Sequence, residues 1–432
     1  MYKERVGLPK EILTPILASM EKDRPYLENL VRDLIRCYPT YIEDGDGIKA
    51  AQSIVRRELT SLGFNVEEVH VQEEIIKNHP LYTRVEDWGS QFEHYSPEQN
   101  VTQSGLLHID DQAPTIVLNG HVDVEPVFDP KTWKDPTLWR SGAIIGDRIY
   151  GRGATDMLGG VAGLLFSLRH VLGNSLGPRL NIVFHSVADE EIGGNGTLKC
   201  LINGPKADWA LIAEPTGLTI SQSSLGFHHF RAKSWGTPVH MSQASEGQSA
   251  IDVVVEVHNR LNGLRTKLKQ IIANEPGFRK SNVNPLVTGR VAGGQDPAVP
   301  AEQCNLEGVL FSSPRQTRQE IKNLLDEILV SDPPLNASIS LTNMSFDGAN
   351  SSDRTIPDAL IQAGKSLNTS LAESGFPSPC DMRLYTVTGT PTTIFGPGNL
   401  TEAHAPNEFL LRDELFVFSQ IIAAFIANLS KT

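Results

Sequence analysis

Two residues near the end of the first third of the chain have the types and spacing for metal or acid–base chemistry. His121 and Asp123 follow an apolar run at residues 116–118, which is typical of a buried strand. Because residues two apart on a strand point to the same face, their side chains should emerge together at the carboxyl end of that strand. A carboxylate beside an imidazole orients both metal-binding and catalytic histidines. Taken alone, the pair is compatible with either role and with an ordinary surface pair.

Similar polar residues follow other apolar segments further along the chain. The segments 180–188, 209–213 and 392–395 each have the composition of a buried strand, and 158–172 has that of a buried helix. Each is bordered by acidic residues or a histidine. These residues are Asp156, before the helix, and Glu190, Glu191, Glu214 and His404, after the strands.

These residues together favour a metal site. In an open α/β sheet the carboxyl ends of parallel strands converge on one crevice, where ligands bind. Two histidines and several carboxylates facing one crevice would repel one another without a cation. A set of this kind that contains no cysteine suits zinc, cobalt or manganese. Five ligands, one of them shared, are what a site with two metal ions needs.

The helices and strands that must position these residues are arranged differently before and after residue 115. Helices are expected at about 22–37 and 47–62, with Gly63 as a C-cap, and a strand is expected at 64–71. Residues 78–100, which include His79, Trp88 and His94, show no periodicity and are expected to be an irregular insertion. From 115 onward strands and helices alternate, which indicates a largely parallel sheet.

The order of elements changes between about 226 and 345. The pattern there is strand, helix, strand, strand, helix, strand, which is the split βαβ arrangement of a small two-layer domain. After it come a helix near 355–372, the strand at 392–395 and a closing helix at 412–429. We therefore predict an α/β protein with a mostly parallel sheet and helices on both faces. Residues 1–225 and 346–432 would form its catalytic domain, and 226–345 an inserted, ferredoxin-like α+β domain.

Composition and charge limit the class of protein. The 432 residues are 40% hydrophobic and 21% charged, as in a soluble globular protein with a sizeable core. The net charge of −13 argues against nucleic acid or an anionic membrane as the main partner. The four cysteines are far apart and predict neither a disulfide framework nor a zinc–thiolate site. With no signal peptide or bilayer-spanning run, the sequence indicates a cytoplasmic enzyme that acts on a small molecule.

Five motifs resemble those of the dinuclear zinc peptidase and deacylase superfamily. They are His121-Val-Asp123, Gly-Arg-Gly-Ala-Thr-Asp156-Met, Asp-Glu190-Glu191-Ile-Gly-Gly, Ala-Glu214-Pro-Thr and Ala-His404-Ala-Pro-Asn-Glu. Members of this superfamily include acetylornithine deacetylase, succinyl-diaminopimelate desuccinylase, aminoacylase and glutamate carboxypeptidase. The motifs stand in the family's order, and the resemblance covers nearly the whole chain, including the inserted domain.

The resemblance implies a role for each of these residues. It implies that His121, Asp156 and Glu214 hold one metal ion, and that Asp156, Glu191 and His404 hold the other, with Asp156 bridging. Asp123 would orient His121 without touching metal. Glu190 would be the general base that activates a metal-bound water for attack on an amide carbonyl. Zinc is the expected metal, with cobalt or manganese as alternatives.

The resemblance also implies an assembly. A histidine from the inserted domain of a partner subunit reaches the site in this family, and His240 in the segment 236–242 matches it. We therefore expect a homodimer formed through the inserted domains, with closure of those domains over the substrate.

The expected substrate pocket departs from the family pattern. Many members carry an arginine in a D-x-R-x-x-P segment that contacts the substrate carboxylate, whereas this chain has Phe311 at that position, before Pro314. A common asparagine is replaced by Pro297. Losing a bidentate carboxylate clamp should weaken binding of α-carboxylates. Either Arg383 or another basic residue replaces the clamp, or the substrate is not an ordinary N-acyl amino acid.

Three hypotheses follow for the activity. The first is a dinuclear metal-dependent deacylase of N-acyl amino acids, similar to acetylornithine deacetylase. The alternative within the same chemistry is a deformylase or deacylase of a non-amino-acid amine, or a dipeptidase or carboxypeptidase. The third is a non-catalytic binding relative, which should have lost ligands or the base, whereas this chain keeps all of them.

Overall fold

Helices and strands alternate along most of the chain. The computed structural model describes residues 10–42, 45–89, 92, 95, 100–173, 179–279 and 281–429. Within these ranges the helices are α1 (Lys10–Lys22), α2 (Arg24–Cys37), α3 (Asp46–Ser61), α4 (Glu73–Lys77), α5 (Gly159–Leu172), α6 (Asn195–Asn203), α7 (Ala250–Asn274), α8 (Arg318–Val330), α9 (Thr355–Ser366), α10 (Met382–Val387) and α11 (Arg412–Leu429). The expectation about His94 lies outside the described residues.

The strands form three sheets. They are β1 (Asn65–Glu68), β2 (Gln103–Leu107), β3 (Thr115–His121), β4 (Ala143–Ile145), β5 (Arg148–Tyr150), β6 (Asn181–Val187), β7 (Trp209–Ile212), β8 (Ile220–Ser224), β9 (Gly226–Trp235), β10 (Leu286–Gly293), β11 (Gln303–Ser312), β12 (Ala337–Phe346), β13 (Ala349–Asn350), β14 (Glu373–Phe376), β15 (Thr392–Ile394) and β16 (Phe409–Leu411). A small sheet in the order β16-β5-β4 lies apart from the two larger ones.

The largest sheet runs in the order β1-β2-β6-β3-β7-β15-β8-β13, and β14 pairs with β8. Neighbours from β6 to β15 are parallel, whereas β1, β2 and β13 join antiparallel and β15 pairs antiparallel with β8. The predicted α/β class is therefore confirmed. The sheet is parallel at its centre and mainly antiparallel toward its edges, where β14 pairs parallel with β8.

Helices cover both faces of this sheet. On β3, Gly120 faces α5, where an added Cβ would lie 2.7 Å from the Val161 side chain. The adjacent Asn119 points to the opposite face, where its amide donates hydrogen bonds to Thr197 of α6 and Tyr385 of α10. Because successive side chains on a strand point to opposite faces, α5 and the pair α6 and α10 must lie on different sides of the sheet.

The segment 226–346 forms a second sheet. Its order is β10-β11-β9-β12, with every pairing antiparallel. Leu261 and Leu264 of α7 and Leu325 of α8 pack against apolar residues of these strands in one buried cluster. The chain order of strand, helix, two strands, helix and strand is the one expected from the sequence. The division of the chain into two domains stays a proposal.

Several elements begin or end differently from the expectation. The strand expected at 64–71 is shortened to β1, and Gly63 after α3 has the left-handed φ of +87° that a helix C-cap favours. Helix α1 was not expected, because Pro15 interrupts its apolar residues. Burial of Leu13, Ile16 and Met20 in the main core stabilises it nonetheless. No helix in the described ranges is long and apolar enough to cross a bilayer.

Candidate active site

Three parallel strands of the large sheet end at the same edge. The register pairs His121 at the end of β3 with Val187 at the end of β6. It also pairs Asn119 of β3 with Ile212, the last residue of β7. The segments that leave β6 and β7 therefore start beside His121, and they carry the carboxylates expected there.

The first cluster at this edge consists of His121, Asp156 and Glu214. All three residues are buried, and each offers a ligand atom within 4.8 Å of the others. His121 Nε2 lies 3.1 Å from Asp156 Oδ1 and 4.0 Å from Glu214 Oε1. This group matches the first set of ligands implied by the sequence.

The second cluster consists of Glu125, Glu191 and His404. His404 Nε2 lies 3.0 Å from Glu191 Oε2 and 3.4 Å from Asp156 Oδ2. Asp156 thus directs one carboxylate oxygen at each cluster, which is the arrangement that a bridging ligand requires. Glu125 was not expected here. Its position two residues after Asp123 in the chain is the signal that could have indicated it.

Asp156 is held by a buried carboxylate that sequence reasoning did not single out. Glu408 Oε1 accepts hydrogen bonds from the main-chain N–H groups of Thr155 and Asp156, at 3.0 and 3.3 Å. Its Oε2 pairs with Arg152 Nη1 at 2.7 Å, and Arg152 Nη2 donates to the His404 carbonyl at 3.0 Å. Glu408 and Arg152 therefore tie the Asp156 turn to the His404 loop. Both lie inside motifs that the sequence shows.

The turn after β6 presents Glu190 and Glu191. It is fixed by Asp189, which has a left-handed φ of +67° and a fully buried carboxylate. That carboxylate accepts hydrogen bonds from the Tyr95 hydroxyl at 2.7 Å and from the Asn100 amide at 2.5 Å. Glu190 and Glu191 both line the cavity above the two clusters. The turn therefore holds both predicted carboxylates at the same opening.

Asp123 is fully buried beside His121. The ring Nδ1 of His121 lies 2.8 Å from the main-chain carbonyl of Asp123, against 3.7 Å from its Oδ1. The closer contact shows that the main chain also orients the ring. Oδ2 accepts a hydrogen bond from the Glu191 N–H at 3.1 Å, and burial raises the pKa of Asp123 to about 8.

The electrostatics are those of a site with surplus negative charge. Burial alone would lower the pKa of His121, but Asp156 and Glu214 outweigh it and raise that pKa well above its ordinary value. Glu191 raises the pKa of His404 to about 12. Burial, followed by Asp156, raises the pKa of Glu214 well above its usual range. The two histidine shifts come from nearby carboxylates that favour positive charge, and the Glu214 shift comes from burial beside another carboxylate.

The donor set fits divalent metal ions. Glu214 Oε1 is buried and accepts no hydrogen bond from the described residues. A buried, unpaired carboxylate oxygen is costly unless a cation compensates it. The combination of imidazole nitrogens and carboxylate oxygens, with no thiolate in either cluster, is the set that zinc, cobalt and manganese accept.

A cavity of about 290 Å³ opens above the clusters. Aromatic side chains form much of its wall. Phe227 lies at the centre of this wall, with ring centroids 5.6 Å from Trp88, 6.3 Å from Phe311 and 5.5 Å from Phe346. We call the set the aromatic wall, and it consists of Trp88, Phe227, Phe311, Phe346 and Phe376. Phe311 therefore lines the cavity. It stands at the position where the family resemblance implies an arginine.

Arg383 also lines the cavity but is engaged by the protein. Its Nη2 donates hydrogen bonds to Gly193 O at 2.6 Å and to Thr83 Oγ1 at 3.1 Å. Its guanidinium carbon lies 3.9 Å from the centroid of the Phe346 ring, which is cation–π geometry. Burial lowers the pKa of Arg383 to about 10. These contacts use one arm of the guanidinium and one of its faces.

His240 is not brought to this cavity within one chain. It is exposed, and its Nδ1 lies 2.9 Å from Ser242 Oγ and accepts the Ser242 N–H at the start of a short 3-10 helix, Met241–Glu246. Its action across a dimer stays a prediction.

Comparisons with known proteins identify relatives over most of the chain. The model of peptidase family M20/M25/M40 matches residues 117–428. An N-formyl-4-amino-5-aminomethyl-2-methylpyrimidine deformylase from Halalkalibacterium halodurans is 25% identical over 96% of this chain and 97% of that protein. An acetylornithine deacetylase from Proteus mirabilis is 28% identical over 68% of this chain and 74% of its own length.

Solved structures show the same fold. A dipeptidase from Saccharomyces cerevisiae superposes with a TM-score of 0.73 at 14% identity, covering 98% of this chain and 100% of that one. A metallo-carboxypeptidase of the M20 family from Sulfolobus solfataricus gives a TM-score of 0.71 at 17% identity, covering 95% and 100%. With the family model matching most of the sequence, the chain belongs to peptidase family M20/M25/M40, a family of amide-bond hydrolases.

Proposed function

We propose that the protein is a metal-dependent hydrolase that removes a small acyl group, formyl in the simplest case, from the nitrogen of a heteroaromatic amine. This is the second of the hydrolase hypotheses that the sequence left open. The observation that carries it is the aromatic wall, in which Phe311 stands at the position where the family resemblance implies a carboxylate-binding arginine. The full-length similarity to a formyl-aminopyrimidine deformylase supports the same choice.

The chain's own residues divide into metal ligands and a base. His121, Asp156 and Glu214 would hold one divalent ion, and Asp156, Glu191 and His404 the other, with Glu125 beside the second. When bound, the two ions would polarise the acyl carbonyl and acidify water. Zinc is the first expectation, and cobalt or manganese could serve.

Glu190 is proposed to move the proton. It lines the cavity next to both clusters, and it is not a member of either. Its carboxylate would take a proton from the attacking water as the new C–O bond forms. It would then return that proton to the amide nitrogen as the C–N bond breaks. The products would be formate, or another short carboxylic acid, and the free amine.

The aromatic wall suits a flat ring. Aromatic pairs are favourable at centroid separations of 4.5–7 Å in offset or edge-to-face arrangements, and neighbouring rings within the wall have such separations, 5.5–6.3 Å. An α-carboxylate would meet Phe311 instead of a guanidinium, without the paired hydrogen bonds that bind it in relatives. This makes N-acyl amino acids the weaker substrates.

Deacylation of N-acyl amino acids is the second candidate. It is favoured by the acetylornithine deacetylase relatives and by Arg383, whose positively charged side chain lines the cavity.

We also propose a homodimer formed through residues 226–345, in which His240 of one subunit reaches the cavity of the other. His240 and Met241 are exposed, as such a role requires.

A substrate panel tests the proposal. The purified chain, reconstituted with zinc, cobalt or manganese, would be assayed on N-formyl-4-amino-5-aminomethyl-2-methylpyrimidine, N-acetylornithine and a dipeptide. We expect kcat/KM for the formyl compound to exceed that for N-acetylornithine by roughly 100-fold or more, because groups left without partners in a fitted site discriminate strongly. Preference for N-acetylornithine would favour the second candidate, and preference for the dipeptide would refute both.

A further inference from the structure

Asp381 is a buried carboxylate at the cavity that none of the roles above uses. It immediately precedes α10, is 2% exposed and lines the cavity together with the aromatic wall. It belongs to neither of the two ligand clusters. A carboxylate is costly to bury without partners, so its surroundings should indicate what it serves.

One side of Asp381 is fixed by a chain of buried hydrogen bonds. Thr197 Oγ1 donates to Asp381 Oδ2 and itself accepts from the Asn119 amide at 3.1 Å. The same amide donates to the Tyr385 hydroxyl at 3.0 Å, and that hydroxyl lies 2.7 Å from His185 Nδ1. Burial lowers the pKa of His185 to about 4, so its ring is neutral at neutral pH. Because Thr197 Oγ1 accepts the Asn119 N–H, it directs its own proton at Asp381 Oδ2.

The other oxygen of Asp381 is left available. Among the hydrogen bonds made by the described residues, none ends at Oδ1. Gly194, with a φ of +78°, lies against this oxygen, and a Cβ at that position would be 2.3 Å from it. Burial raises the pKa of Asp381, and Thr197 and Arg383 partly offset this rise, while the Arg383 Nη2 is bonded to Thr83 and Gly193. The missing Cβ of Gly194 thus lets Oδ1 lie close to the main chain at the cavity lining, with no hydrogen-bond partner among the described residues.

From this geometry we infer that Asp381 is a specificity-determining residue for the amine half of the substrate. Its Oδ1 accepts a hydrogen bond from an amino group, or a ring N–H, of a planar heteroaromatic amine that packs against the aromatic wall. The inference rests on the proposed function. It deepens that function by naming the feature recognised, an N–H donor on the ring, and it adds a reason for poor binding of α-carboxylates, which Asp381 would repel.

The test compares two substrates that differ only in the ring donor. One is N-formyl-4-amino-5-aminomethyl-2-methylpyrimidine, and the other is the same compound with hydrogen in place of the ring amino group. The metal-reconstituted full chain should prefer the first by on the order of 10- to 100-fold in kcat/KM, as expected for one hydrogen bond to a charged group. Equal kcat/KM for the two compounds would overturn the inference and leave the proposed function standing.

Variants separate recognition from general support of the fold. Asp381→Asn would direct an amide N–H at the substrate donor, and the preference should fall to about threefold or less. Thr197→Val removes the hydroxyl that donates to Asp381 and accepts from Asn119. It should reduce the preference partially, through KM more than kcat. Asp111→Asn is the matched control, because Asp111 is an exposed aspartate that does not line the cavity. This variant should keep the wild-type preference. Equal losses on both substrates in Asp381→Asn would assign Asp381 a structural role and overturn the inference.

A binding measurement keeps the inference testable if the variant fails to fold or neither compound is hydrolysed. Calorimetry on the wild-type chain would compare the two product amines, with and without the ring amino group. Tighter binding of the amino compound, by about tenfold or more, supports Asp381 as its acceptor. Equal affinities overturn the inference. Absence of turnover with both formyl compounds, in contrast, would refute the proposed function.

Discussion

Removing the Glu408 carboxylate should destabilise the protein and weaken its metal site together. Glu408 is fully buried and Arg152 is 4% exposed, so their 2.7 Å ion pair is shielded from water. Breaking a buried pair by removing one partner costs about 3–5 kcal/mol. The N–H groups of Thr155 and Asp156 also lose their shared acceptor, at about 1–3 kcal/mol where water cannot replace it. We therefore expect Glu408→Ala to lower the free energy of unfolding by about 4–8 kcal/mol.

The same change should reach the metal through Asp156 and His404. Arg152 links Glu408 to the His404 carbonyl, so both ligand-bearing segments lose a tether. Loss of groups that hold metal ligands typically costs 10- to 100-fold in metal affinity. Glu408→Gln keeps an acceptor for the two N–H groups and should lose roughly half as much stability.

Urea unfolding of the metal-free chain and a zinc titration would measure the two effects. Asp413→Ala is the control, because Asp413 pairs with Arg24 on the surface with 83% of its side chain exposed. That variant should lose less than about 1 kcal/mol. If Glu408→Ala has a free energy of unfolding within about 1 kcal/mol of wild type and an unchanged zinc affinity, Glu408 does not hold the Asp156 and His404 segments in place.

Three further predictions concern the pocket, the pH dependence of stability and the metal. Phe311→Arg should raise kcat/KM for N-acetylornithine by roughly tenfold or more and lower it for the formylpyrimidine, and an unchanged ratio in a paired assay would contradict this. Burial lowers the pKa of His228 to about 3, so only the unfolded chain gains its proton as the pH falls below about 6.5. Stability is therefore lost as the pH falls from about 6.5 to about 3. Urea unfolding at about pH 7 and at about pH 5 would measure this loss, which His228→Gln should reduce by about 2 kcal/mol. Equal losses in wild type and variant would refute the assignment. Dialysis against a chelator should abolish hydrolysis and added zinc, cobalt or manganese should restore it, whereas activity that survives chelation would argue against metal dependence.

The parts of the site that follow strands could be predicted from the sequence. His121 and Glu214 come soon after apolar runs, and the convergence of parallel strand ends brings them together, so local pattern and sheet geometry suffice. The central strands and the long helices have strong periodicity and were found for the same reason. Short strands such as β8 and β13 were missed, because Ile220–Ser224 is mostly polar and Ala349–Asn350 has only two residues.

The pocket could not be predicted in the same way. The aromatic wall draws Trp88 from an irregular segment, Phe311 from β11 and Phe376 from β14, and no local spacing relates these positions. Only their tertiary arrangement groups them. Glu408 and Arg152 stand inside recognisable motifs, but their pairing across 256 positions is visible only in the structure. Asp381 attracted no prediction, because a single aspartate in a loop has no signal of its own.

Metal content and activity, measured side by side in wild type and Glu190→Gln, would show whether the protein is a metal-dependent hydrolase with Glu190 as its base. We expect about two equivalents of metal per chain in both proteins, because Glu190 belongs to neither ligand cluster. We also expect the variant to lose hydrolysis of the formylpyrimidine by a factor on the order of 100 to 10,000. Full activity in Glu190→Gln, or no metal uptake by the wild-type chain after reconstitution, would contradict this mechanism.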